Sequence, residues 1–197
     1  MDDAAIEWLL TSDEPGIRLQ VHTDLLGDKV VARPAEIRGG PIVSRLLAGQ
    51  QADGGFGVHP YHKWTGAHWR LVSLVELGVP GTDPAVQSAL EPVLAWLSSG
   101  GDPDDALVIR GLPRVHGSIY ANALAVAVRL GKAKDARVSN LAAWLVGWQW
   151  PDGGWNCDRH PHVTHSSFYE SITPMYALAE FARATGDEAT EYERCAW

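Results

Sequence analysis

A chain of 197 residues, 46% hydrophobic and 20% charged, has the composition of one globular domain and not of a disordered or fibrous protein. Its formal net charge of −8 and its lack of any local Lys/Arg cluster exclude nucleic acid and anionic membranes as main partners. The acidic opening "MDDAAIEWLL" and the absence of an apolar run near ~18 residues predict a cytoplasmic protein, not an integral membrane one. Two cysteines, Cys157 and Cys195, are too few for a disulfide framework.

In chain order, residues 1–39 read as an N-terminal helical hairpin. Two short helical patterns are split by "TSDEPG", where Ser12 or Asp13 would cap the second. Residues 40–186 read as three helix pairs. The first helices are "PIVSRLLAGQ", "DPAVQSALEPVLAWL" and "DARVSNLAAWLVGWQW", with apolar residues recurring at three and four and Asp-Pro or Asp as start signals. The second helices, "TGAHWRLVSLVELG", "GSIYANALAVAVRLG" and "SSFYESITPMYALAEFARATG", each end in a glycine suited to a left-handed cap. These second helices are the more apolar set and belong on the inside of a curved array. No period-two alternation competes, so strand should be minimal, and residues 187–197 begin like a further helix.

The chain repeats itself. "GQQADGGFG" and "WQWPDGGWN" share the frame Gln, two residues, Asp, Gly, Gly, aromatic, with Gln50 and Gln149 lying 99 positions apart. A weaker copy, "AWLSSGGDPDD", lies between them, which makes the unit about half that offset. These turns resemble the QW motif of the squalene-hopene cyclase and protein prenyltransferase β-subunit superfamily. The resemblance covers residues 40 to 190 and implies an all-α, α/α-toroid-like array of helix hairpins. It also implies an incomplete ring, about half of one, which a second copy in a homodimer or another partner would complete. In such a motif Gln bonds exposed helix-end groups, Gly-Gly permits the turn and the aromatic packs on the next unit.

Chemistry is expected in three places. "DPDD", Asp102 to Asp105, matches the Asp-x-Asp-Asp acid motif of the resembling class II cyclases, with Asp104 as candidate proton donor. It stands, however, at the surface-turn position of the repeat. Cys157, Asp158, His160, His162 and His165 offer five potential ligands within nine residues, a spacing that zinc can use. The resembling prenyltransferases hold zinc with Asp, Cys and a distant His, which carries over to Asp158, Cys157 and His165, although Cys157 here precedes the Asp. Zinc is thus the one cofactor left open. Third, Trp64, His68 and Trp69, then His116 and Tyr120, then His165, Phe168 and Tyr169 recur at the mouths of the three second helices. Their aromatic faces suit carbocation stabilisation or an apolar ligand's pocket. His165, Tyr169 and Thr173 fall at steps of four, on one helical face.

The resemblance implies an isoprenoid-binding protein, terpene cyclase-like or prenyltransferase-like, acting on an apolar polyprenyl substrate, with Asp158, His165, Tyr169 and Asp104 as catalytic candidates. The competing expectation is a non-catalytic helical-repeat scaffold binding a protein or peptide on its concave face.

Overall fold

The computed structural model describes residues 3–30, 33–101 and 107–186, and within these it is mostly helical. Two compact units divide the chain, Met1–Pro92 and Val93–Trp197.

In the N-terminal unit, α1 (Asp3–Leu10) is followed by α2 (Pro15–Gln20), which runs on into one π-helical stretch, Val21–Leu25. The start of α2 departs from expectation. Pro15 fixes the first helical position, so Glu14 and not Ser12 or Asp13 is the N-cap, and Ser12 Oγ accepts the Glu14 N–H at 3.2 Å. Glu14 is buried, and its Oε2 accepts the Ile42 N–H at 2.6 Å. This ties α2 to α4 (Pro41–Leu47), which follows the short α3 (Pro34–Arg38). Next, α5 (Ala67–Glu76) buries Leu71 and Leu74 on its inward face, and Gly78 at φ +78° reverses the chain behind it. α6 (Pro84–Ser98) carries the boundary between the units at its internal Pro92, where proline removes a helical hydrogen bond.

In the C-terminal unit a small hairpin precedes the helices: β1 (Leu107–Ile109) pairs antiparallel with β2 (Leu112–Arg114). Arg110 at φ +54° and Gly111 at φ +78° make the two-residue turn, in the left-handed pair of conformations that matches strand twist. α7 (Gly117–Arg129), α8 (Ala136–Gly147) and α9 (Phe168–Thr185) complete the unit, with α7 packed on both other helices. The N-cap of α8 is Asp135, whose carboxyl the Arg137 hydrogen bonds hold below its ordinary pKa. Gly131 and Gly186, at φ +76° and +65°, stop α7 and α9 as the sequence predicts. Arg129 locks α7 to α9, its Nε donating to both Glu180 oxygens at 3.2 Å and its Nη2 to the Tyr176 hydroxyl.

The six helices predicted for residues 40–186 are present as α4 to α9, with α4 packed on α5 and α8 on α9, while α7 packs chiefly on α9. The turns of the two strong repeat copies also match bond for bond. Gln51 N–H donates to Gly55 O at 2.9 Å and Trp150 N–H to Gly154 O at 2.8 Å. Gly54 N–H donates to Gln51 O at 3.0 Å and Gly153 N–H to Trp150 O at 2.9 Å. The repeated frame glutamines act alike, Gln50 Nε2 reaching Gly54 O at 3.1 Å and Gln149 Nε2 reaching Gly153 O at 2.8 Å. Asp53 and Asp152 accept the N–H two residues on, at 2.8 and 3.4 Å. The glutamines therefore close their own turns and do not cap helix ends, except that Gln50 also donates to Ala85 O at 2.8 Å.

Candidate functional site

Each unit holds one concentration of the expected residues. In the N-terminal unit the loop before α5 folds on itself: His62 N–H donates to His59 O, while Thr65 and Gly66 N–H both return to His62 O. This loop delivers Tyr61 and Trp64 to Trp69, with ring centroids 5.8 and 5.0 Å apart. Lys63 Nζ lies 5.6 Å from the Trp64 ring, and Trp69 Nε1 is buried without an acceptor among the described residues. His68 stands one position into α5 with its ring edge-on to Tyr61 and Trp69, and is only 1% exposed. Burial lowers its pKa from 6.5 to about 4, because a charged imidazolium there would lose its hydration. His68 is thus a neutral core residue and not the rim residue that the sequence predicted.

That burial sets a pH dependence. Below pH 6.5 the unfolded chain takes up a proton at His68 that the folded chain refuses until about pH 4. Stability present above pH 6.5 is therefore lost as pH falls through that window, by about 3 kcal/mol at its lower end. Urea melts between pH 7 and 4.5 should show this slope, and His68→Phe should flatten it; an unchanged slope in the variant would remove His68 as the cause.

In the C-terminal unit the loop between α8 and α9 is held from both ends. Asp152 Oδ2 accepts the Ser166 N–H at 2.7 Å, and Asn156, nearly buried, donates through Nδ2 to His165 O at 2.9 Å. Trp155 fills the base, its N–H meeting Ser171 Oγ at 3.0 Å and its indole N–H meeting Leu145 O at 2.8 Å. Arg114, 1% exposed, lies 4.6 Å from the centroid of the Trp150 ring and donates through Nη2 to Val163 O at 2.9 Å. The aromatic face offsets part of the cost of that buried charge.

The expected zinc trio is not assembled here. The half-buried Cys157 thiol faces Glu170 Oε1 at 3.6 Å, and Glu170 Oε2 accepts the Ser118 N–H at the start of α7 at 2.9 Å. Asp158 is exposed and uses Oδ1 on the His160 N–H, and His165 is exposed on the surface. Among the described residues no group of three or more His, Cys, Asp or Glu side chains is arranged to hold a metal. Cys157, Asp158 and His165 therefore do not form a donor set in this arrangement. His165 also precedes the helix, whose N-cap is Ser167, so it does not share a helical face with Tyr169 and Thr173 as expected from the spacing. Tyr169, 82% exposed, and Phe168 point outward with their rings 6.3 Å apart.

His116 is the N-cap position of α7, while Tyr120 is buried with its ring 4.9 Å from Trp148 and 6.4 Å from Trp144. Tyr120 is therefore packing and does not line an open mouth. Asp104 and the rest of the Asp102–Asp105 motif lie outside the described residues. Sequence reading missed Glu170 as the partner of Cys157 and Asn156 as the post of the loop. The one available signal was an acidic residue in the first turn of α9.

No family model matches the chain, and the searches of curated proteins and of solved structures likewise return no match.

Proposed function

We propose that the chain is an isoprenoid-binding protein of the α/α-toroid type, terpene cyclase-like or prenyltransferase-like, whose substrate is an apolar polyprenyl chain. The carrying observation is the bond-for-bond identity of the Gln50–Gly55 and Gln149–Gly154 turns, which supports a true internal repeat at the offset the resemblance is built on, although each glutamine closes its own turn. Helix pairs flanking each turn support the same reading. Within it, Tyr169 and Phe168 are the aromatic faces best placed to meet a substrate, since both are exposed at the head of α9.

A second reading, a non-catalytic scaffold that binds protein or peptide, is favoured by one feature. Phe168, Tyr169, Ile172 and Tyr176 leave an apolar aromatic stripe of α9 exposed, a composition enriched at protein interfaces.

A thermal-shift titration with farnesyl and geranylgeranyl diphosphates separates the two. At a hundredfold excess over Kd a ligand that binds only the folded state adds about 2.7 kcal/mol, which raises Tm by several degrees. No stabilisation by either compound would transfer the assignment to the scaffold.

A further inference from the structure

The loop from Gly57 to Thr65 carries two features that packing leaves unexplained. Trp64 adopts φ +68°, a left-handed conformation that large side chains rarely take, yet its indole is 68% exposed. The turn that imposes this is over-determined. Thr65 and Gly66 N–H donate to His62 O at 3.2 and 2.7 Å, and His62 Nδ1 meets Thr65 Oγ1 at 2.7 Å. A glycine or asparagine would satisfy the same backbone without strain. The indole is therefore held outward against the local preference of the chain, with one edge resting on Trp69.

The other end of the same loop borders a recess of about 360 Å³, within the ~300–1,000 Å³ of small-molecule sites. Val58, Pro60 and Ala67 give it an apolar wall; Gln51, Asp53 and His59 give it a polar one. Asp53 spends Oδ1 on the Gly55 N–H at 2.8 Å, and Oδ2 has no partner among the described residues. The side-chain amide of Gln51 adds a donor and an acceptor to the same lining.

We propose that this loop is a binding site for a neutral sugar, with the pyranose hydroxyls in the recess against Asp53 and Gln51 and with Trp64, presented by the other end of the same loop, as the aromatic platform for the rest of the ligand. The chemistry selects the class. A carboxylate with no Lys or Arg in the lining opposes an anion, and the two cations beside the loop are engaged elsewhere: Lys63 rides on the Trp64 ring, while Arg70 donates to the carbonyls of Thr65, Leu46 and Ala48 and lies over the Phe56 ring. Three polar side chains oppose a pure hydrocarbon. A ring with hydroxyls on its edge and C–H groups on its faces meets both walls and the indole. This proposal does not rest on the isoprenoid reading, although Trp64 and the Gln50–Gly55 turn figure in both.

Saturation-transfer NMR on the full chain, with methyl β-D-glucopyranoside, methyl α-D-mannopyranoside and cellobiose as probes, tests it. Transfer to the ring C–H protons of at least one probe is expected. Asp53→Asn, which keeps the oxygen that accepts from Gly55, and Trp64→Asn, which suits the left-handed turn, should each weaken binding at least about fivefold. Both should melt within ~2 °C of wild type. No transfer from any of the three probes overturns the proposal, as does equal binding by both variants. A fall of more than ~5 °C for Trp64→Asn would make the indole packing instead of platform. Stabilisation by a prenyl diphosphate is read separately and is unaffected by either result.

Discussion

Trp155→Ala is expected to reduce the unfolding free energy by about 4 kcal/mol, the upper part of the range for large-to-small core substitutions. Trp155 is fully buried at 0% exposure, and it is held by hydrogen bonds as well as by volume. Its indole N–H satisfies Leu145 O, one of the last carbonyls of α8, and its backbone meets Ser171 and Ser167 of the α9 start. Truncation would leave a cavity and also orphan the Leu145 carbonyl. Trp155→Phe separates the two contributions, since the ring volume largely survives while the donor is lost; about 2 kcal/mol is expected for it. Urea melts followed by far-UV circular dichroism measure both, and hydrogen exchange should localise the loosening to Ala136–Thr185. A loss under ~1 kcal/mol for Trp155→Ala would mean that the loop, and not the indole, joins α8 to α9.

The helices were legible because their signals are local: apolar residues at steps of three and four, Asp-Pro or Asp at the starts, glycine at the stops. Three local features escaped, the first of them α3 (Pro34–Arg38), a five-residue helix inside the stretch read as a two-helix hairpin. Three-residue strands are too short to show alternation, so the β1–β2 hairpin had only Arg110-Gly111 to announce it. The N-cap of α2 moved to Glu14 because Pro15 dictates the first helical position more firmly than a Ser or Asp side chain selects a cap.

The candidate sites were legible as composition and not as geometry. His68 and His165 head equivalent helices, yet Tyr61 and Trp69 close over the first, while Phe168 and Tyr169 turn away from the second. No spacing rule distinguishes them, since the difference lies in which loop folds back. The Cys157–Glu170 contact likewise joins residues across a loop whose path depends on Asn156 and Asp152. The Cys-Asp-His spacing that suggests zinc says nothing about that path.

The two repeat turns look interchangeable by sequence and by dihedral angle, but substitution should distinguish them sharply. Gly54 and Gly153 occupy the same frame position at φ +85° and +90°, so alanine at either meets the left-handed penalty of about 1–2 kcal/mol. Around Gly153 nothing lies within 4 Å of the added Cβ, and the penalty should be the whole cost. At Gly54 the Cβ would drive deep into the Ser88 carbonyl oxygen, a backbone atom of α6 that cannot rotate aside, which adds about 1–3 kcal/mol of overpacking. Gly54→Ala should therefore cost ~4 kcal/mol against ~1 for Gly153→Ala. The next glycine of the frame reverses the order. Gly55→Ala meets only the Asp53 carboxylate at 3.2 Å and should cost under ~1 kcal/mol, whereas Gly154→Ala meets Ser166 Cβ at 2.5 Å and should cost ~2. The four variants measured by urea denaturation give a crossed pattern that a purely conformational role for glycine cannot produce. Equal losses at Gly54 and Gly153 would mean that the turn and α6 do not press together, and would leave the hydrogen bond from Gln50 to Ala85 O to join them.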